Sequence, residues 1–204
     1  MQAPHIALLH TRSFPDEVFS EFVRFVTAEN LQLQVEARDE DGRYAAVEWL
    51  IPTAVIAYIG RAYFESFLKE MGKDHYSLLK AGLKMLYAKL IRPEAPEVTL
   101  LSTKGKICAD QPYSLTFSIL AEAEAGTRFK LLLQRAASQL EYEKTISSFL
   151  EFLEAYHAGI LDPKTLEMLK DTRIVGGTLL LAFNPATGQI EPIDPLAGKA
   201  KRDA

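Results

Sequence analysis

Trp49-Leu50-Ile51-Pro52-Thr53-Ala54-Val55-Ile56-Ala57-Tyr58-Ile59-Gly60 runs twelve residues without a charge, between Glu48 and Arg61, in a chain where 25% of residues are charged. Leaving such a run in water is unfavourable, so other elements must pack around it. Pro52 divides it. The residue before a proline is pushed towards extended geometry, so Arg43 to Leu50 reads as two helical turns ending there, with Ala46, Trp49 and Leu50 inward. Beyond it, Ala54 to Ile59 contains β-branched residues and no polar alternation. Both faces would then be buried, as in a central parallel strand. The competing reading is one long helix kinked at Pro52. Gly60 supplies a turn, and Arg61 to Met71 forms a helix with Tyr63, Phe64, Phe67 and Leu68 on its apolar side.

Upstream, His5 to His10 is a short apolar run suited to a buried strand. Ser13 and Asp16 have capping-box spacing, with Pro15 in the first turn. Phe14, Val18, Phe22, Phe25 and Val26 then recur at helical spacing, and Asn30 marks the stop. Leu31 to Arg38 alternates strictly, the pattern of a half-exposed strand near a sheet edge, and Asp39 to Gly42 turns the chain. Strand, helix and strand in so short a span make a right-handed βαβ unit. With the strand at 54–59, the expectation is an α/β fold whose N-terminal part is a parallel three-strand unit packed by helices. As pattern alone this resembles a flavodoxin-like or TIR-like half. No motif of either family is present, so no activity is carried over.

Downstream, Asp74 is placed to cap a helix through Leu78, Leu79, Leu83, Leu86, Tyr87, Leu90 and Ile91. Pro93 and Pro96 then mark a connection over 92–97 between residues 1–91 and a second half, 98–195, expected to pack with the first as one domain. Short strands are expected at Val98 to Leu101 and, after a turn, at Ile107-Cys108. Tyr113 to Leu120 and Phe129 to Leu133, joined by the turn from Glu122 to Gly126, read as an antiparallel hairpin. Ser138-Gln139-Leu140-Glu141 is a capping box opening a helix over 138–158. Asp162-Pro163 opens another over 163–171. Thr178 to Phe183, Asn184 to Gly188 and Gln189 to Ile193 form a second hairpin, its last strand an edge because of Pro192 and Pro195. Residues 196–204 read as a disordered tail.

The 204 residues, 48% of them hydrophobic, are enough for a substantial core. Net charge is −4, and the tail holds Lys199, Lys201 and Arg202 against Asp203, a net of +2, leaving −6 on the rest. That sign argues against a nucleic-acid partner. Cys108 is the only cysteine, which excludes an internal disulfide and a thiolate cluster and fits a reducing compartment. The start of the chain lacks a basic region before its apolar run, and the uncharged run at 49–60 would span only ~18 Å as a helix, against the ~30 Å of a bilayer core. A cytoplasmic protein without a membrane partner is expected.

No phosphate loop, nucleophile elbow, HExxH, paired cysteines or EF-hand loop is present. His5, His10, His75 and His157 have no spacing that pairs them with carboxylates, so neither a metal nor a cofactor is expected. If the first three strands are parallel, ligands bind beyond their carboxyl ends. Arg12 and Ser13, Arg38, and Gly60 with Arg61 would meet there, two of these segments leading into helix starts that favour anions. Against this, Arg61 is one turn from Glu65 and can pair with it. The available general bases are His10, Asp39, Glu65 and Glu48, and no spacing fixes any two of them together, so no catalytic residue is assigned. The expected function is a non-enzymatic module that binds another protein or self-associates. The alternative is a protein or enzyme binding a nucleotide or other small anion at those strand ends.

Overall fold

The computed structural model describes residues 3–39, 53–71, 73–91, 112–135 and 137–194. The expected helix at Arg43 to Leu50, residues 49–52 of the uncharged run, the strands near Val98 and Ile107, the proline connection at 92–97, Glu48, Cys108 and the tail all lie outside them. The elements are β1 (Ile6–Thr11), a 3₁₀ turn (Asp16–Val18), α1 (Ser20–Val26), β2 (Leu33–Arg38) and β3 (Val55–Ile59). A π-helical turn (Tyr63–Phe67) runs into α2 (Leu68–Met71), followed by α3 (Lys73–Leu90). Then come β4 (Phe117–Glu122), β5 (Arg128–Leu132), α4 (Gln139–His157), α5 (Pro163–Asp171), β6 (Thr178–Asn184) and β7 (Gln189–Ile193). The class is α/β. One seven-stranded mixed sheet, ordered β2-β1-β3-β4-β5-β6-β7, runs through both halves of the sequence.

Every second strand residue faces the helices. Ile6 and Leu8, Val55, Ala57 and Ile59, Phe117 and Ile119, Phe129 and Leu131, and Leu179 and Leu181 form one buried core with side chains from α1, the π-turn, α3, α4 and α5. The other sheet face is not open to water either: Ile56, Ser118, Lys130, Leu132 and Leu180 are all buried. The uncharged run does therefore supply a central strand buried on both sides.

Its direction differs from expectation. β1 and β2 are parallel, but β3 is antiparallel to β1, with Ile6 opposite Ile59 and His10 opposite Val55, and parallel instead to β4. A continuous apolar run reports burial, and burial is the same for either direction. The parallel three-strand unit is thus a parallel pair, β1 and β2, beside a strand that points the other way.

Local signals hold where a side chain completes them. Ser138 accepts from the Glu141 N–H while the Glu141 carboxylate accepts from the Ser138 N–H, a full capping box. Asp162 caps α5 with Pro163 in its first turn. Both hairpins form, β4 with β5 and β6 with β7, although β4 begins at Phe117 and Tyr113 makes only an isolated bridge to Gln134. Ser13 does not cap: its hydroxyl bonds Thr11, and the helix enters through the 3₁₀ turn behind Pro15. Asp74 lies inside the first turn of α3, which already begins at Lys73. Gly82 on α3 touches α1, where a Cβ would stand 2.9 Å from Val26 and 3.0 Å from Phe22. The two helices are drawn together there and tied by Lys89 to Glu21 at 2.6 Å.

Candidate functional site

The carboxyl ends of β1 and β2 lie side by side, so Arg12, Ser13 and Arg38 do share one end of the sheet. The Arg12 N–H donates to the Arg38 carbonyl at 3.1 Å. The Arg12 guanidinium, however, meets Asp39 at 2.6 Å with both side chains largely in solvent. Arg38 reaches across the sheet and donates to the Thr53 carbonyl. The Thr53 hydroxyl donates to the Val55 carbonyl at 3.0 Å and lies 2.5 Å from Ser118, so Ser118 is the donor in that pair. Arg12 is already matched by a carboxylate, and Arg38 is turned inward to backbone.

Gly60 and Arg61 stand at the opposite end. Because β3 runs against β1, the Gly60 N–H donates to the His5 carbonyl at 2.9 Å, beside the start of β1. The expected meeting of three strand ends therefore does not occur. The helix start at Arg61 also carries a carboxylate of the protein's own: Glu122 accepts from the Arg61 N–H at 3.0 Å and from the Tyr58 hydroxyl at 3.1 Å. Burial, then the charge of Glu122, pushes the Tyr58 phenol up to about 12. The Arg61 guanidinium holds Glu65 at 2.5 Å, the pairing that competed with an anion site. Glu122 carried no signal in the sequence, since its role depends on the register of β4 against β3.

The general-base candidates are dispersed in the same way. Asp39 serves Arg12 and Glu65 serves Arg61. His10 is 1% exposed, with its ring 4.4 Å from Phe19 and Nδ1 3.0 Å from the Thr11 carbonyl. Its Nε2 lies 3.3 Å from the Asp16 carboxylate without an aligned hydrogen bond, a close approach and not a formed pair. Among the described residues no group of three or more His, Cys, Asp or Glu side chains could hold a metal ion.

His10 and Asp16 sit at the end of a groove of about 440 Å³ between α1 and β2. Phe19 and Val23 form its helix side, with Ser20 and Arg24 at the rim, and Val35 and Ala37 form its strand side. This is the most accessible part of the sheet. Among the described residues β2 is an edge strand, and Gln34, Val35, Glu36 and Ala37 are all exposed, Val35 at 41%. The strict alternation of 31–38 pointed to that edge. The other edge, β7, carries Pro192, which lacks an N–H to offer a partner. Among the described residues no helix is long and apolar enough to cross a membrane.

Comparison with known proteins adds no identity: no family model matches the sequence, and neither a curated protein nor a solved structure matches it significantly. Function has to be argued from the chain's own geometry.

Proposed function

We propose that the protein is a non-enzymatic self-association module in which two copies join along β2. The observation that carries this reading is the chemistry of the open edge. Sheets discourage edge pairing with prolines, bulges, inward-pointing charges or runs of like charge. From Leu33 to Arg38 this edge has no proline, and its two charges are of opposite sign: Glu36 is exposed, and Arg38 is half-buried with its guanidinium on the Thr53 carbonyl. In an antiparallel pair centred on Ala37, Glu36 of each copy stands opposite Arg38 of the other, and a guanidinium that turns from the Thr53 carbonyl to that carboxylate makes two attractions across the pair. Strand pairing alone buries less than the ~1,000 Å² of a stable contact. The two-fold relation supplies more, because it brings α1 of both copies to the same face and covers the grooves beside Val35 and Ala37.

The test is a pair of complementary variants. Glu36→Arg leaves two cations on the edge and Arg38→Glu leaves two carboxylates. Sedimentation should find each variant monomeric alone and the equimolar mixture dimeric, while the natural chain dimerises by itself. Val35→Lys, an exposed position whose change leaves the monomer's core intact, should also abolish the dimer. A natural chain that stays monomeric over the full concentration range refutes the reading.

A further inference from the structure

A second concavity, built from none of the elements around β2, opens between the π-turn, α2, the start of α3 and the last turns of α4, with a volume of about 430 Å³. Its walls are Phe64, Leu68, Tyr76 and His157. A π-helical turn is wider than an α-helical one and recurs at functional sites. Here it gathers Tyr63, Phe64 and Phe67 into one turn and leaves Phe64 against the cavity. The His157 ring stacks on Phe64 at 5.1 Å and 15°, and Tyr156 meets it edge-on. Burial holds His157 below its ordinary value, with Glu65 opposing, so the imidazole is neutral at neutral pH.

Two features ask for a ligand. The Tyr76 hydroxyl is buried and has no hydrogen-bond partner among the described residues, a costly state for a donor. Burial first, and then the charges of Glu151 and Glu154, raise its pKa, so the proton stays on. Glu151 and Glu154, three apart on one face of α4, line the same cavity against one ammonium among the described residues, Lys69. Aromatic rings beside an excess of carboxylate are the arrangement that recognises alkylated ammonium groups, through the negative ring faces and the full charge together.

We propose that this cavity binds a small organic cation, an alkylated ammonium group on an apolar body with a hydrogen-bond acceptor. The ammonium lies against Phe64, Tyr76 and His157 and is neutralised by Glu151 and Glu154, while the acceptor takes the Tyr76 hydroxyl proton. A phosphate or carboxylate ligand is disfavoured by the same two glutamates. The site is independent of pairing through β2, so the monomeric Val35→Lys variant should bind as the natural chain does.

Calorimetry on the full chain with acetylcholine chloride tests it, beside 3,3-dimethylbutyl acetate, the neutral isostere with the same shape and acceptor. The expected result is saturable one-site binding of the cation alone. Glu151→Gln with Glu154→Gln, both at exposed positions, should weaken it about tenfold or more, and Lys69→Gln should strengthen it. Tyr76→Phe should cost a smaller factor. Equal binding of the neutral isostere, indifference to the two glutamine substitutions, or no saturation by about 10 mM, where contacts this few should register, would each overturn the proposal.

Discussion

Gly60 is where β3 hands the chain to the helix at Arg61, and its backbone runs so close to the start of β1 that an added Cβ would stand 2.5 Å from the Pro4 carbonyl oxygen. That atom is backbone and cannot rotate away. Gly60→Ala should therefore destabilise the protein by about 1–3 kcal/mol, as overpacking does, read as a lower urea midpoint with an unchanged slope. Lys130 poses the opposite problem, a charge that is already buried. It is 5% exposed, and burial first, then the positive charge of Arg38, pulls its ammonium down to about 8. Its folded value lies below the unfolded 10.5, so between those values the unfolded chain binds more protons and stability rises with pH. From pH 7.5 to 9.5 the gain should be about 2 kcal/mol. Lys130→Met should flatten that rise. A natural chain equally stable at both pH values would show that the ammonium is not held in this way. Tyrosines such as Tyr58, with raised folded values, act in the reverse sense as pH nears 10, so the comparison with Lys130→Met, which shares those tyrosines, isolates the lysine's part.

Among the helices and strands, what the sequence discloses is whatever a side chain encodes within a few residues of itself. The Ser138–Glu141 box is local, and it forms as read. Ser138→Ala should cost about 1 kcal/mol, measured by urea unfolding, because the Glu141 N–H then loses its acceptor. Spacing likewise disclosed α3, α4, the two hairpins and the edge character of β2, since periodicity reports which face of an element is wet. It could not disclose direction. The run at 55–59 is buried whether it lies parallel or antiparallel to β1, and that single ambiguity decided the candidate site. Arg12 and Arg38 come together because β1 and β2 are parallel, and Arg61 is carried to the far end because β3 is not. Lys130 is a charged residue in an apolar strand, and nothing in the spacing around it marks it as buried. Its burial follows from the second face of the sheet, where the absence of alternation in Thr178 to Phe183 was the available hint. The close contact of α1 with α3 at Gly82 leaves no mark at all, because a helical glycine says nothing about what it touches.

For the molecule as a whole, the proposed pairing along β2 would make stability a function of concentration. If folded copies pair and unfolded ones do not, pairing adds to the free energy of the native state by mass action. A tenfold rise in protein concentration above the dissociation constant should then stabilise the paired state by up to about 1.4 kcal/mol of dimer. At a few degrees per kcal/mol for a chain of this size, the expected rise in Tm is about 1–3 °C per decade of concentration. The Val35→Lys chain should show a flat Tm over the same range, and the mixture of Glu36→Arg with Arg38→Glu should regain the slope. Added salt should reduce the slope of the natural chain only in part, because Glu36 and Arg38 are screened while burial of Val35 and Ala37 is not. A natural chain with a Tm independent of concentration would mean that the charges on this edge hold copies in register too weakly to matter, and that β2 is protected by them and not joined through them.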